Sequence, residues 1–492
     1  MLTKIKQIRS ILFVLLAGFS QTGFALTFQP AQVYPASSAL NAGPESVECG
    51  DLDQDGFLDL VTADNGFISL YFGDGGGNFP RRHAIATRVT NATDQAGGEE
   101  NEYASLFDLN KDGLLDILVA NAPNPGGSTG NSIQIYYNQP LSPGTFISPP
   151  VQITADMGVN PTAVRAGHFN PGYDSLPDLA LSLYLDPRLL TYLGTSGGGF
   201  NPFFESALIS QSAGENLDLG DFNEDGLLDI AMVDRLRVWV FFGDGSGWFP
   251  NSINLATGGS GAHLEYDVLM RDMDGDHHLD LVVANGGLFN TLTDASHAVA
   301  ILYGNGTSQP PVQSTFLDPG KGVTKIATAD FNGDSFLDIA AVLPGDTFTN
   351  GTVMVFLNDG AASPRTYASS QPLSFSAEGR VSMGISADDF NRDGRADLAV
   401  ANEGFIPSGI PGNLVVFLNA LPAVETPTPT STPTQYPAIT QTPTRTATPT
   451  RTLSPTRTLT PRPTLSPDIN GDGRVDSKDL QILIEQQGNQ VP

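Results

Sequence analysis

An acidic nine-residue pattern, Asp-x-(Asp/Asn)-x-Asp-Gly-x-x-Asp, recurs seven times along the 492-residue chain. Its copies begin at Asp51, Asp108, His168, Asp221, Asp272, Asp330 and Asp389, giving steps of 57, 60, 53, 51, 58 and 59 residues. A spacing this even marks one structural unit copied around or along an axis. The repeat therefore constrains the architecture before any single residue is considered.

Carboxylates at alternate positions of a tight turn converge on one point. A hard cation such as Ca²⁺ needs that geometry, taking about six to eight oxygens at about 2.3–2.6 Å. In the first copy the ligand set is Asp51, Asp53, Asp55 and Asp59, with the Phe57 carbonyl as the fifth ligand. Gly56 lets the backbone turn sharply between them. Without a cation the crowded carboxylates would repel one another. Solvated Asx turns are the plain alternative, but recurrence in one register argues against it.

The same reading gives Asp108, Asn110, Asp112, Leu114 and Asp116 in the second copy, and Asp221, Asn223, Asp225, Leu227 and Asp229 in the fourth. The fifth offers Asp272, Asp274, Asp276, His278 and Asp280, with His277 in place of the glycine. The sixth offers Asp330, Asn332, Asp334, Phe336 and Asp338, with Ser335 in place of the glycine. The seventh offers Asp389, Asn391, Asp393, Arg395 and Asp397. In each set the seventh-position residue contributes its carbonyl. The third copy, running from His168 to Asp178, has two extra residues and is expected to bind weakly or not at all.

The same ligand pattern opens an EF-hand, which needs an acidic residue at position twelve and a helix after it. Position twelve here is Thr62, Val119, Met232, Val283, Ala341 or Val400. Short apolar runs such as Leu58–Ala63, Leu115–Ala120 and Leu228–Val233 follow, and these read as buried strands. Each repeat continues with an aromatic-aliphatic strand: Ile68–Phe72, Ile133–Tyr137, Val238–Phe242, Val353–Leu357 and Leu414–Leu418. A Gly-rich turn follows, as in Gly73–Asn78 and Gly243–Gly247, and then a fourth strand expected to begin at Phe79, Phe146, Phe200, Phe249, Phe316 or Tyr367. Four strands per repeat make a propeller blade; a capped solenoid is the other possibility. The seventh repeat stops after its third strand, and the segment Thr27–Tyr34 is a candidate for the missing one. Closure of that kind leaves no open sheet edge.

These residues resemble FG-GAP repeats, also called VCBS-type repeats, of the kind found in integrin α-chain propellers. The calcium loop carries half of the resemblance. The strand ending Phe-Gly-Asp-Gly-x-Gly-x-Phe, as in Phe72–Phe79 and Phe242–Phe249, carries the rest. The resemblance covers about residues 26–420 and implies an all-β fold, a seven-bladed β-propeller with calcium in loops on one face. Relatives of this type include adhesion proteins, lectins and modules carried by enzymes.

The flanking segments point outside the cell. Residues 1–25 read as a signal peptide, with Lys4, Lys6 and Arg9 before an apolar stretch at Ile11–Phe19 that is too short to span a membrane. Acidic residues outnumber basic ones 53 to 24, a net charge of −29, which argues against nucleic-acid partners and anionic membrane surfaces. Cys49 is the single cysteine, so no internal disulfide exists, and it reads as a small buried residue beside the first loop. Residues 421–467 form a Thr/Pro-rich linker. Residues 468–492 differ from the seven loops: Asp468, Asn470, Asp472, Arg474, Asp476 and Asp479 form an EF-hand-like loop whose twelfth position is acidic, ahead of a helical pattern. This segment resembles one half of a type I dockerin, which implies calcium there and a cohesin-like partner.

The function expected is a secreted or cell-surface, calcium-binding, non-catalytic recognition or adhesion module for an extracellular glycan or protein. Arg88–Asn101 and Gly286–Ala298 are candidate specificity loops. The alternative is a component of polysaccharide degradation, a hydrolase or lyase, attached through the dockerin-like segment. No catalytic set stands out: His83, His168, His263, His277, His278 and His297 lack recognised nucleophile or zinc spacing. A third reading treats the propeller as a spacer displayed through the C-terminal segment.

Overall fold

The computed structural model describes residues 26–36, 43–64, 66–87, 99–123, 132–153, 161–183, 186–206, 215–234, 237–257, 265–286, 299–345, 349–360, 365–367, 372–404 and 410–420. The described residues form seven four-stranded antiparallel sheets and no α-helix. In six of the sheets the strands follow chain order as meanders, and in the seventh Gln32–Pro35 takes the outer edge beside Asn413–Phe417. Blade 1 holds Pro44–Gly50, Asp59–Asp64, Phe67–Phe72 and Arg81–Ala86.

The innermost strands are Pro44–Gly50, Glu99–Phe107, Pro161–Gly167, Leu217–Gly220, Glu265–Arg271, Lys325–Ala329 and Ser382–Asp388. Each contacts the next, and the seventh contacts the first, so the ring is closed. The expected specificity loop Arg88–Asn101 is corrected at its end, because Glu99–Asn101 already belongs to the inner strand of blade 2. The remainder of that loop, residues 88–98, and residues 287–298 lie outside the described residues. So do residues 1–25, the linker and the dockerin-like loop from Asp468 to Asp479.

Hydrophobic patterning explains the layering. The second strand of blade 1, Asp59–Asp64, is buried at every position, whereas its outer strand Arg81–Ala86 is exposed or half-exposed throughout. A strand sandwiched between neighbouring blades must be apolar on both faces. The core accordingly splits into seven clusters, one at each junction between adjacent blades. The cluster between blades 1 and 2 joins Val61, Ile68, Leu70 and Phe72 to Ile117, Val119 and Tyr136. Each such aliphatic side chain contributes about 1.5–3 kcal/mol when fully buried.

The ring is sealed as the termini suggested. Gln32–Pro35 pairs antiparallel with Asn413–Phe417, in register Gln32 to Val416 and Tyr34 to Leu414. Gln29 N–H donates to the Leu418 carbonyl at 2.7 Å, and Ala420 N–H to the Thr27 carbonyl at 2.8 Å. Leu26 and Phe28 pack into the core between blades 6 and 7. The last blade is therefore built from both ends of the propeller.

The third strands fall within one residue of their expected bounds. The fourth strands do not. Only Phe200 opens one; the outer strands of blades 1 and 4 begin at Arg81 and Asn251. Phe79 and Phe249 instead sit in the preceding turns and are buried. Phe79 meets Tyr34 and Phe390 edge-on, with ring centroids 5.8 and 5.9 Å apart. The aromatic residue is thus a plug pressed into the neighbouring blade's loop. Phe146 forms an isolated bridge with Asn138, Tyr367 is buried ahead of its strand, and Phe316 lies inside Gln313–Leu317.

Candidate metal-binding loops

Every acidic loop joins the end of an inner strand to the second strand of its blade, so all seven lie at one end of the ring. The β setting, rather than an EF-hand, is what the structure holds. In all six regular loops the first-position carboxylate accepts the N–H of position six: Gly56 to Asp51 at 3.0 Å, Gly113 to Asp108 at 2.9 Å, Gly226 to Asp221 at 2.8 Å, His277 to Asp272 at 3.0 Å, Ser335 to Asp330 at 2.7 Å, and Gly394 to Asp389 at 2.7 Å. The fifth-position carboxylate accepts the N–H of position seven, as from Phe57, Leu114, Leu227, His278, Phe336 and Arg395.

The ninth-position aspartate has a second job that the sequence did not reveal. Asp59 is fully buried; one oxygen accepts Leu52 N–H and the other accepts Gly73 N–H, both at 2.9 Å. Asp116, Asp229, Asp280, Asp338 and Asp397 repeat this clip between loop position two and the end of the third strand. Asp178 of the degenerate loop keeps it too, accepting Phe169 N–H at 2.8 Å and Gly194 N–H at 2.9 Å. Position two is always a buried apolar residue: Leu52, Leu109, Phe169, Phe222, Met273, Phe331 or Phe390. Burial pushes the carboxyls of Asp59, Asp229, Asp280 and Asp397 up to about 7 against the pull of these N–H donors, and neighbouring loop carboxylates add to the rise.

The third-strand end is Gly73, Gly194, Gly243 or Gly304 in four blades and Asn138, Asn358 or Asn419 in the other three. A Cβ at Gly73 would stand 2.2 Å from the Leu58 carbonyl oxygen. The asparagines use their side chains across the junction instead. Asn138, Asn358 and Asn419 donate to the Leu52, Met273 and Phe331 carbonyls of the preceding blade's loop at 2.8, 2.7 and 2.8 Å.

Two positions of each regular loop are left-handed. Gly56, Gly113, Gly226 and Gly394 take φ of 85, 87, 86 and 82° at position six, while Gln54, Lys111, Glu224 and Arg392 take 57, 62, 59 and 60° at position four. In loops five and six the glycine moves to position four, Gly275 and Gly333, and His277 and Ser335 carry the strain at φ of 71 and 73°. The missing sixth-position glycines therefore do not change the loop path. The non-glycine residues at position four reach the next loop. Gln54 donates to the Gly113 carbonyl at 2.9 Å, and Lys111 to the Ser175 carbonyl at 2.9 Å. Glu224 pairs with His278, and the Arg392 guanidinium lies 4.5 Å over the Phe57 ring.

Among the described residues, acidic oxygens converge in two loops. Asp51, Asp53 and Asp59 bring ligand atoms within 4.8 Å of one another, as do Asp272, Asp274 and Asp276. Asp55 is exposed and lies outside the first set, and Asp280 lies outside the second. These two loops have aspartate at position three, and in each an arginine meets that residue: Arg81 with Asp53, and Arg365 with Asp274 and Asp276. One guanidinium offsets the one extra charge. Loops two, four and six carry Asn110, Asn223 and Asn332 there instead, each donating to the fifth-position aspartate at 3.0, 3.0 and 3.1 Å. In loop seven Arg395 pairs with Asp393. In the first loop one oxygen each of Asp51 and Asp53 is buried with no hydrogen-bond partner. Orphaned buried carboxylate oxygens are costly, and a divalent ion fits them. The third loop differs: His168 Nδ1 meets the Leu176 carbonyl at 3.0 Å, and Asp174 accepts Leu176 N–H at 2.9 Å.

Three segments, residues 51–119, 221–283 and 272–341, match the FG-GAP-like repeat. Each match runs from one acidic loop into the second strand of the following blade. No curated protein matches the chain. The chain carries FG-GAP-like repeats, and they fold as a seven-bladed β-propeller.

Proposed function

We propose that this protein is a secreted, calcium-loaded recognition module that binds an extracellular glycan or protein and does no chemistry on it. The observation that carries the metal is the pair of partnerless buried oxygens of Asp51 and Asp53 beside Asp59. Calcium would be held there by those three carboxylates with the Phe57 carbonyl, and in the fifth loop by Asp272, Asp274 and Asp276. The ion supplies charge neutralisation and rigidity to one face of the ring.

A glycan is the ligand class best supported by the surface. Trp248 and Phe203 leave about half and two-fifths of their surfaces exposed. Their rings meet edge-on at 6.0 Å, and Phe204 backs Trp248 at 5.7 Å. Trp248 sits in the turn between the third and fourth strands of blade 4, at the same end of the ring as the acidic loops. Rigid, half-exposed aromatic faces suit the apolar face of a sugar ring.

The test is a glycan binding screen run with calcium and again with chelator, beside calorimetric titration of calcium into the stripped protein. Binding that needs calcium and weakens about tenfold in Trp248→Ala is expected, a loss of about 1.4 kcal/mol. Failure of calcium to bind the stripped protein would overturn the metal reading. Glycan binding unaffected by Trp248→Ala would move the contact elsewhere on the ring.

A further inference from the structure

The inner strands of the blades enclose a cavity of about 350 Å³ on the ring axis. Small-molecule sites run from about 300 to 1,000 Å³. Its wall carries charged side chains among the inner strands, where apolar residues are the rule. Glu48, Asp218 and Asp267 face Arg165, Arg271 and Lys325, so the lining is electroneutral within a chain of net charge −29.

The acceptors of this wall are well supplied. Asp267 takes Val268 N–H and Ile326 N–H, each at 3.1 Å, and the Asn216 amide. Asp218 takes Met270 N–H and Arg271 Nη1, each at 2.9 Å. Glu48 takes the Tyr103 hydroxyl at 2.6 Å. The donors are not. Arg165 spends Nη2 on the Tyr103 hydroxyl, but its buried Nη1 has no hydrogen-bond partner and stands 3.5 Å from Glu48. Lys325 comes no closer than 3.8 Å to Asp267, too long for a hydrogen bond, with its side chain only 19 % exposed. The Ser105 hydroxyl is buried without a partner. Arg165 and Lys325 both lie over the Tyr103 ring, at 4.4 and 5.5 Å from its centroid, so the spare donors share one region.

We propose that this axial cavity binds a small carboxylate-bearing molecule of sugar-acid size, held by Arg165, Lys325 and Ser105. A carboxylate brings two oxygens and about four lone pairs to donors that lack acceptors. The planar guanidinium edge and the ammonium supply charge-assisted bonds, and the electroneutral wall does not repel one added negative charge. Neutral sugars bring weaker acceptors to the same donors. The site is separate from the acidic loops and does not rest on calcium being their ligand.

The experiment uses the purified full chain, titrated calorimetrically with galacturonate, galactose and inorganic phosphate. Galacturonate is expected to bind with Kd below about 1 mM and galactose at least tenfold more weakly. Arg165→Gln should weaken galacturonate at least tenfold. Because that change also strips Glu48 of its cation, Ser105→Val serves as a second variant. It removes a partnerless hydroxyl, should weaken binding several-fold, and should leave the melting temperature unchanged or raised. Equal affinity for galacturonate and galactose, or no binding of either at about 10 mM, would overturn the proposal. Phosphate binding in preference to galacturonate would overturn the carboxylate assignment, and full affinity in folded Arg165→Gln would overturn the location.

Discussion

Asp178 separates the two roles of the ninth-position aspartate, because its loop lacks the ligand set while its clip is intact. Asp178→Ala leaves Phe169 N–H and Gly194 N–H buried without their acceptor. Each orphaned donor costs about 1–3 kcal/mol. Removing a fully buried carboxylate, whose pKa burial has raised, offsets part of this. A net loss of about 2–4 kcal/mol remains. Unfolding entropy of about 2.1 cal/mol/K per residue, applied to residues 26–420, gives about 0.8 kcal/mol/K. The melting temperature should therefore fall by about 2–5 °C. Asp178→Asn keeps one acceptor and should lose about half as much. Scanning calorimetry in calcium and in chelator is the assay, and the drop should be the same in both. An unchanged melting temperature would refute the clip. A drop that vanishes in chelator would show Asp178 to be a metal ligand instead.

Asp64 is buried between the Thr62 and Ser69 hydroxyls, each donating at 2.6 Å, and burial pushes its carboxyl up from 3.8 to about 6. The folded state thus holds this proton more tightly than the unfolded chain. Its stabilising contribution is full below pH about 4 and is lost as pH rises through about 6. The stability gap between wild type and Asp64→Asn, followed by urea unfolding, should shift by up to about 3 kcal/mol across that window; a flat gap would contradict the raised pKa. Ser335→Gly should relieve a left-handed residue and raise stability by about 1 kcal/mol, which paired denaturant melts will detect. Deleting residues 26–36 strips Asn413–Phe417 of its edge partner. The shortened protein should melt lower and self-associate through the bared edge, read by calorimetry and light scattering, whereas a monomer of unchanged melting temperature would argue against closure by this strand.

The repeat and the closing strand were legible because both rest on local chemistry. Carboxylates at fixed spacing and a lone aromatic-led segment at the N-terminus stand out without any knowledge of packing. Phe79 and Phe249 were misplaced because an aromatic residue after a Gly-rich turn reads equally as a strand start or as a plug, and only the neighbouring blade decides. The glycine exchange between positions four and six was visible in Gly275 and Gly333, yet its meaning depends on two left-handed φ values per loop. The clip of Asp59 was hidden, since its partner Gly73 belongs to a second motif and only the pairing of the strands between them brings the two together. Tyr103, Arg165, Asp267 and Lys325 carry no mutual spacing at all; they meet only because different blades point them at one axis.

Sealing the last blade with the first strand has a consequence for biosynthesis. Gln32–Pro35 leaves the ribosome more than three hundred residues ahead of Asn413–Phe417, the segment it must join. Six blades can assemble during translation while that early strand waits alone. Any factor that shields a short extended peptide during this interval would govern how many chains reach the finished ring.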